Sequence, residues 1–149
     1  MPRGFAVSIV LMKNSLRSMA AAVVITLISA AVPSHAATVN DFYKSLLKRG
    51  VEHVNSGNFE AAASELKLAS FGLLDSIPLY ETAQIYLTIA AQHLGREPQA
   101  RAAATHVVAA DRIEAHYAKL DLPEKTRKEF ETIAQKMLTD VQWKMLEKP

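Results

Sequence analysis

The sequence predicts an all-α domain built from short antiparallel helix hairpins. Three observations predict it. From Asn40 to Met145, apolar residues recur at spacings of three and four, the period of one helix face. Alanine and leucine are abundant, and the alternation of branched or aromatic with polar residues that marks a half-buried strand is absent. Glycine and proline interrupt the periodic stretches at Gly57, Pro78, Gly95 and Pro123, leaving helix-length pieces joined by tight turns.

A segment of different character comes first. Residues 1–36 carry Arg3, Lys13 and Arg17, no acidic residue, and an apolar run from Met19 to Val32, followed by Pro33 and the triplet Ser34-His35-Ala36. A positive flank, a short apolar core and small residues at Ser34 and Ala36 predict a secretory signal peptide, with cleavage between Ala36 and Ala37. The run includes Thr26 and Ser29 and falls short of the roughly 20 apolar residues of a spanning helix, so cleavage is preferred to an uncleaved anchor. Met12-Lys13-Asn14-Ser15 resembles a more ordinary signal start, which makes Met12 an alternative to Met1 as the first residue.

Export sets the chemistry of the rest. With no cysteine, disulfides and lipid attachment through an N-terminal cysteine are excluded, and the domain depends on its apolar core. The expected location is periplasmic or secreted, soluble after cleavage, with membrane contact only through the signal before it is removed. Processing also changes the charge. Of 17 basic residues, three precede Ala37, which leaves 14 against 15 acidic ones, a net of −1. The basic balance of the precursor belongs to the signal, and no basic stripe with interleaved aromatics follows it. Nucleic acid is not an expected partner.

The elements of residues 37–149 follow in order. The first helix is expected from Asn40, a good N-cap, through Phe42, Leu46, Leu47, Gly50 and Val54. Asn55-Ser56-Gly57-Asn58 ends it, with Gly57 free to adopt left-handed geometry and Asn58 placed to cap the second helix. That helix carries Phe59, Ala62, Ala63, Leu66, Ala69 and Leu73. The third runs from about Pro78 to Leu94, with Ala83, Leu87, Ala90 and Leu94 on one side. Gly95 ends it, and Pro98 opens a fourth with Ala100, Ala103, Ala104, Val107 and Val108. Asp111 to Leu120 reads either as a fraying helix end or as a loop. Asp121-Leu122-Pro123-Glu124 is a start signal for a fifth helix, about 122–147, with Phe130, Ile133, Met137, Val141 and Met145 as its apolar stripe.

Two of these hairpins resemble each other. Gly57 and Gly95 occupy the same turn, Ala62 and Ala100 follow five residues later, and Leu66 and Ala104 nine later. The first, about 43–76, resembles the tetratricopeptide repeat through Gly50, Gly57, Phe59, Ala62, Leu66 and Ala69. The second, about 77–111, resembles a degenerate copy through Leu87, Ala90, Leu94, Gly95 and Ala100, with Thr88 in place of a small glycine. Arg49 and His53 also depart from the family pattern, standing where an apolar and an aromatic residue are usual. The resemblance covers roughly half the chain. It implies a solenoid of packed hairpins, and small residues at 62, 69 and 100 suit the close approach of helix backbones. Because an open hairpin face needs covering, the fifth helix is expected to act as a C-terminal cap.

Nothing in the sequence argues for catalysis or a cofactor. There is no Gly-x-Ser-x-Gly, no phosphate-cradling glycine loop, and no cysteine nucleophile. His53, His93, His106 and His116 form neither a His-x3-His nor a Glu-x-x-His pair, so no metal set is expected. The family resemblance implies instead a peptide groove along the first helix of each hairpin. It places Lys44, Leu47, Val51 and Asn55 there from the first repeat, and Thr82, Ile85, Ile89 and Gln92 from the second. The alternative for Leu47, Val51, Ile85 and Ile89 is a core position beneath the fifth helix. Trp143 lies off the fifth helix's stripe, either as an anchor for a partner or folded back onto the bundle. The expected function is an exported, non-enzymatic tetratricopeptide-like interaction module, an adaptor or assembly factor of the bacterial envelope whose partner is a protein or peptide segment. The alternatives are a self-associating structural subunit and a small histidine-based metal-binding protein.

Overall fold

The computed structural model describes residues 35–146, so all but the last two residues of the expected signal segment lie outside it. The chain divides into two units, Met1–His35 and Ala36–Pro149, and the fold below is that of the second. Six helices and a single 3-10 turn follow one another, with no strand among the described residues. They are α1 (His35–Asn55), α2 (Phe59–Gly72), α3 (Ile77–His93), α4 (Glu97–Asp111), the turn Tyr117–Lys119, α5 (Glu124–Met137) and α6 (Asp140–Met145).

The turns form where the sequence places them. Gly57 and Gly95 have φ of 78° and 69°, the left-handed geometry that ends a helix at little cost only in glycine. Pro78 and Pro98 stand in the first turns of α3 and α4, where a missing N–H breaks no helical bond. The cap assignments are less faithful. Asn40 lies inside α1 rather than before it, and Asn58 occupies the N-cap of α2 without a side-chain capping bond. The helix after Pro123 begins at Glu124, with Pro123 itself in the N-cap place.

Close packing joins α1 to α2. A Cβ added to Gly50 would lie 2.6 Å from Leu66 Cγ, so the glycine is what lets the Leu66 side chain seat against α1. Both departures from the repeat pattern on α1 are answered by one residue of α2. Arg49 Nε donates to Glu65 Oε1 at 3.0 Å, and His53 Nε2 lies 3.8 Å from Glu65 Oε2. The next junction is tied by Arg96, whose guanidinium donates to both Glu60 carboxylate oxygens at 2.9 and 2.8 Å.

The central element is α3, which packs against α2, α4 and α5. From Glu81 to Ala91 every residue except Thr82 is buried, so the helix is enclosed all round rather than amphipathic. One core cluster joins Leu46, Leu47, Leu66, Ala69 and Leu73 to Ala83, Tyr86, Leu87 and Ala90. A second joins Ile85, Ile89, Ala104 and Val107 to Tyr117, Phe130, Ile133, Ala134, Met137, Leu138 and Leu146. The segment after α4 is a structured loop. Asp111 Oδ1 accepts the backbone N–H groups of His116 and Tyr117 at 3.0 and 2.9 Å, which seats the fully buried Tyr117. Arg127 then donates to the carbonyls of Tyr117 and Leu120, binding the loop to α5.

The C-terminal cap differs from the single helix expected. It is two helices, separated at Leu138 and Thr139, whose extended ψ values of 155° and 157° break the helical path. Thr139 and Gln142 form a reciprocal capping box that starts α6. The break resets the helical phase. Val141 and Met145, expected to continue the inner stripe, are instead 62% and 42% exposed, while Leu146 is buried. Trp143 is half-buried against the second core cluster.

Candidate functional site

The residues expected to line an open groove do not form one. Leu47, Ile85 and Ile89 are buried, and Val51 packs against the first core cluster. The physical reason is α5, whose Phe130, Ile133 and Ala134 share a cluster with Ile85 and Ile89 and cover that face of α3. Around this covered face, Lys44 and Asn55 are exposed, and the Thr82 hydroxyl bonds to its own helix through the Pro78 carbonyl. Gln92 lines a shallow hollow of about 150 Å³ with Arg101 and Met137, and Arg101 donates to the Met137 carbonyl.

One end of that face stays open as a polar pocket of about 500 Å³. Asn55 and Ile89 line it beside Phe59, His93, Lys125, Thr126 and Glu129. Two of its polar groups are engaged with one another. The His93 ring stacks on Phe59 at 4.1 Å between centroids and 1° between planes, and its Nε2 lies 2.8 Å from Glu129 Oε1. The pocket therefore ties α3 to α5.

The opposite face of α3 carries the apolar cleft. Three helices each contribute one stripe at helical spacing, which is why the three stripes converge. Tyr80, Gln84 and Leu87 of α3 make the floor, Lys67, Ser70 and Phe71 of α2 with Leu74 from the turn after it make one wall, and Gln99, Ala102, Ala103 and His106 make the α4 wall. The cleft holds about 420 Å³ and is open to solvent along its rim. Phe71 and Leu74 are 71% and 58% exposed, and Leu68 one turn earlier is also exposed. On the facing wall Ala102 and Ala103 are too small to fill the space. Burial pushes the Tyr80 phenol above its usual range, against an opposing contribution from the Gln84 amide, so it remains a neutral hydroxyl. The Gln84 Oε1 is buried with no hydrogen-bond partner.

Sequence reasoning missed one buried group entirely. Glu81, one residue from the cleft floor, is fully buried, and neither carboxylate oxygen has a hydrogen-bond partner. Burial, with a smaller contribution from the Asp111 charge, pushes its pKa up to about 8. The signal was present: Glu81 is the only carboxylate in a 17-residue helix that has no lysine or arginine.

The histidines are dispersed. His53, His93 and His116 each face a carboxylate, and His106 lies beside the Tyr80 ring at 6.5 Å. Among the described residues no three His, Cys, Asp or Glu side chains converge as metal ligands, and no helix is long and apolar enough to cross a membrane. Comparison with protein-family models, with curated proteins and with solved structures finds no match to this chain.

Proposed function

We propose that this chain is an exported tetratricopeptide-like interaction module that holds a segment of another protein in the α2–α4 cleft and performs no catalysis. In this reading α1–α2 and α3–α4 are two successive repeats, and α5–α6 is a third hairpin cut short, with α6 only six residues long. The packing order supports it, since α3 lies on α2 and α5 lies on both α3 and α4, each hairpin covering the one before. The recurrence of a left-handed glycine at Gly57 and Gly95 supports it as well. Export rests on the signal-like pattern ahead of Ala37.

The observation that carries the function is the exposure of Phe71, Leu74 and Leu68 beside an unfilled cleft. Large apolar side chains grouped on a helical surface mark places where another polypeptide docks. The binding face is therefore the opposite one from the groove that the family resemblance implies. Phe71→Asp combined with Leu74→Asp alters only exposed side chains, so the melting transition is expected to stay within a few degrees of the parent. A crosslinking pull-down from intact cells is expected to lose its main captured protein in this double variant. Unchanged capture by a folded double variant would rule the cleft out as the binding face.

A further inference from the structure

We propose that the occupant of the α2–α4 cleft is an amphipathic helix of about two turns, with apolar anchors on one face and a carboxylate on its flank held by Lys67 and His106. The proposal rests on the cleft being the binding face, and it specifies the chemistry of the partner.

Shape and length come first. The floor from Tyr80 to Leu87 is seven helical steps along α3, about 10 Å at 1.5 Å per step, which is two turns of a helix laid along it. The α2 wall and the turn after it offer Phe71 and Leu74, and the α4 wall offers the small Ala102 and Ala103 opposite them. That asymmetry admits large side chains from above, the arrangement of a helix seated in an apolar groove with anchors at i, i+3 or i+4, and i+7.

Charge comes second. No carboxylate lines the cleft, and its polar rim is donor-rich: Lys67 on the α2 wall and His106 on the α4 wall, both exposed. Lys67, like most lysines among the described residues, has no ion pair, so its ammonium is open to a docked carboxylate. An acidic side chain on the flank of the docked helix meets these donors, whereas a basic one meets Lys67 with like charge.

A fatty carboxylate shares this apolar and acidic character, so the test includes one as a competitor.

The test uses the purified full chain and three probes: a fluorescein-labelled 15-residue helical peptide with leucines on one face and glutamates on its flank, the same peptide with flanking lysines, and laurate as competitor. The glutamate peptide is expected to bind at least about tenfold more tightly than the lysine peptide, the factor of about 1.4 kcal/mol. Lys67→Glu with His106→Glu is expected to reverse that order. Should this variant fail to fold by circular dichroism, Lys67→Ala with His106→Ala is expected to erase the preference. Equal binding of both peptides, lost in Phe71→Asp, would overturn the acidic-flank proposal while leaving the cleft as the binding face. Binding that survives Phe71→Asp, or no binding of either peptide, would overturn both. Laurate binding without peptide binding would assign the cleft to fatty carboxylates and overturn the helix.

Discussion

Ending the chain at Asp111 is expected to replace the cooperative thermal unfolding of the domain with a broad, shallow transition and to expose surface that binds a hydrophobic dye. The truncation removes Tyr117, Phe130, Ile133, Ala134, Met137, Leu138 and Leu146 from the second core cluster, leaving Ile85, Ile89 and Val107 uncovered. It also removes the two backbone N–H groups through which the Asp111 carboxylate seats the loop. A milder version of the same change is Phe130→Ala. Deleting this fully buried ring is expected to cost about 3–5 kcal/mol in chemical denaturation, the usual range for a large aromatic cut to alanine in a core. A truncated chain that melts as sharply as the parent would show that α5 and α6 do not cap the hairpins.

Glu81→Gln is expected to make the domain more stable at pH 8 and to flatten its dependence on pH. In the folded chain the Glu81 pKa is raised to about 8 by burial and by Asp111, the carboxyl that faces it from α4. Between about 4.5 and 8 the folded state holds a proton that the unfolded state has released, so stability falls as pH rises through that window. A single such group contributes a slope of up to about 1.4 kcal/mol per pH unit. The amide has no such proton to release and removes that slope. At pH 4, where the acid is protonated in both states, parent and variant are expected to differ little. Urea denaturation at pH 4, 6 and 8 measures this. Parallel curves for the two proteins would mean that Glu81 finds a donor in solution and ionises normally.

Much of this fold was legible because its punctuation is local. A glycine that must go left-handed, as at 57 and 95, or a proline in a first turn, as at 78 and 98, acts through its own backbone and needs no tertiary knowledge. The split cap is local too, and Thr139-x-x-Gln142 was a readable signature. It was overridden by the stripe through Val141 and Met145, which a two-residue break had already put out of phase. That break also explains Trp143, which falls off the stripe in one continuous helix but packs inward on α6.

The cleft proposed as the binding face was not legible, and the reason lies in α3. A helix buried on nearly every side has no polar face to set against an apolar one, so Thr82, Ile85, Ile89 and Gln92 could not be told apart in role from Tyr80, Gln84 and Leu87. Which of them is covered depends on where α5 lies, a long-range fact. The exposed Phe71 and Leu74 were similarly hidden, since an apolar residue in a periodic helix gives no sign of whether a neighbour covers it.

The direct measurement is photo-crosslinking in living cells, with a benzoylphenylalanine placed singly at Ala102 in the cleft wall and at Lys44 or Asn55 on the opposite side. All three positions are exposed, so the probe itself leaves the core untouched. The cleft account predicts one discrete adduct from position 102, lost when Phe71→Asp is added, and none from 44 or 55. An adduct from 44 or 55 with none from 102 would contradict it and return the binding site to the face of α1 and α5.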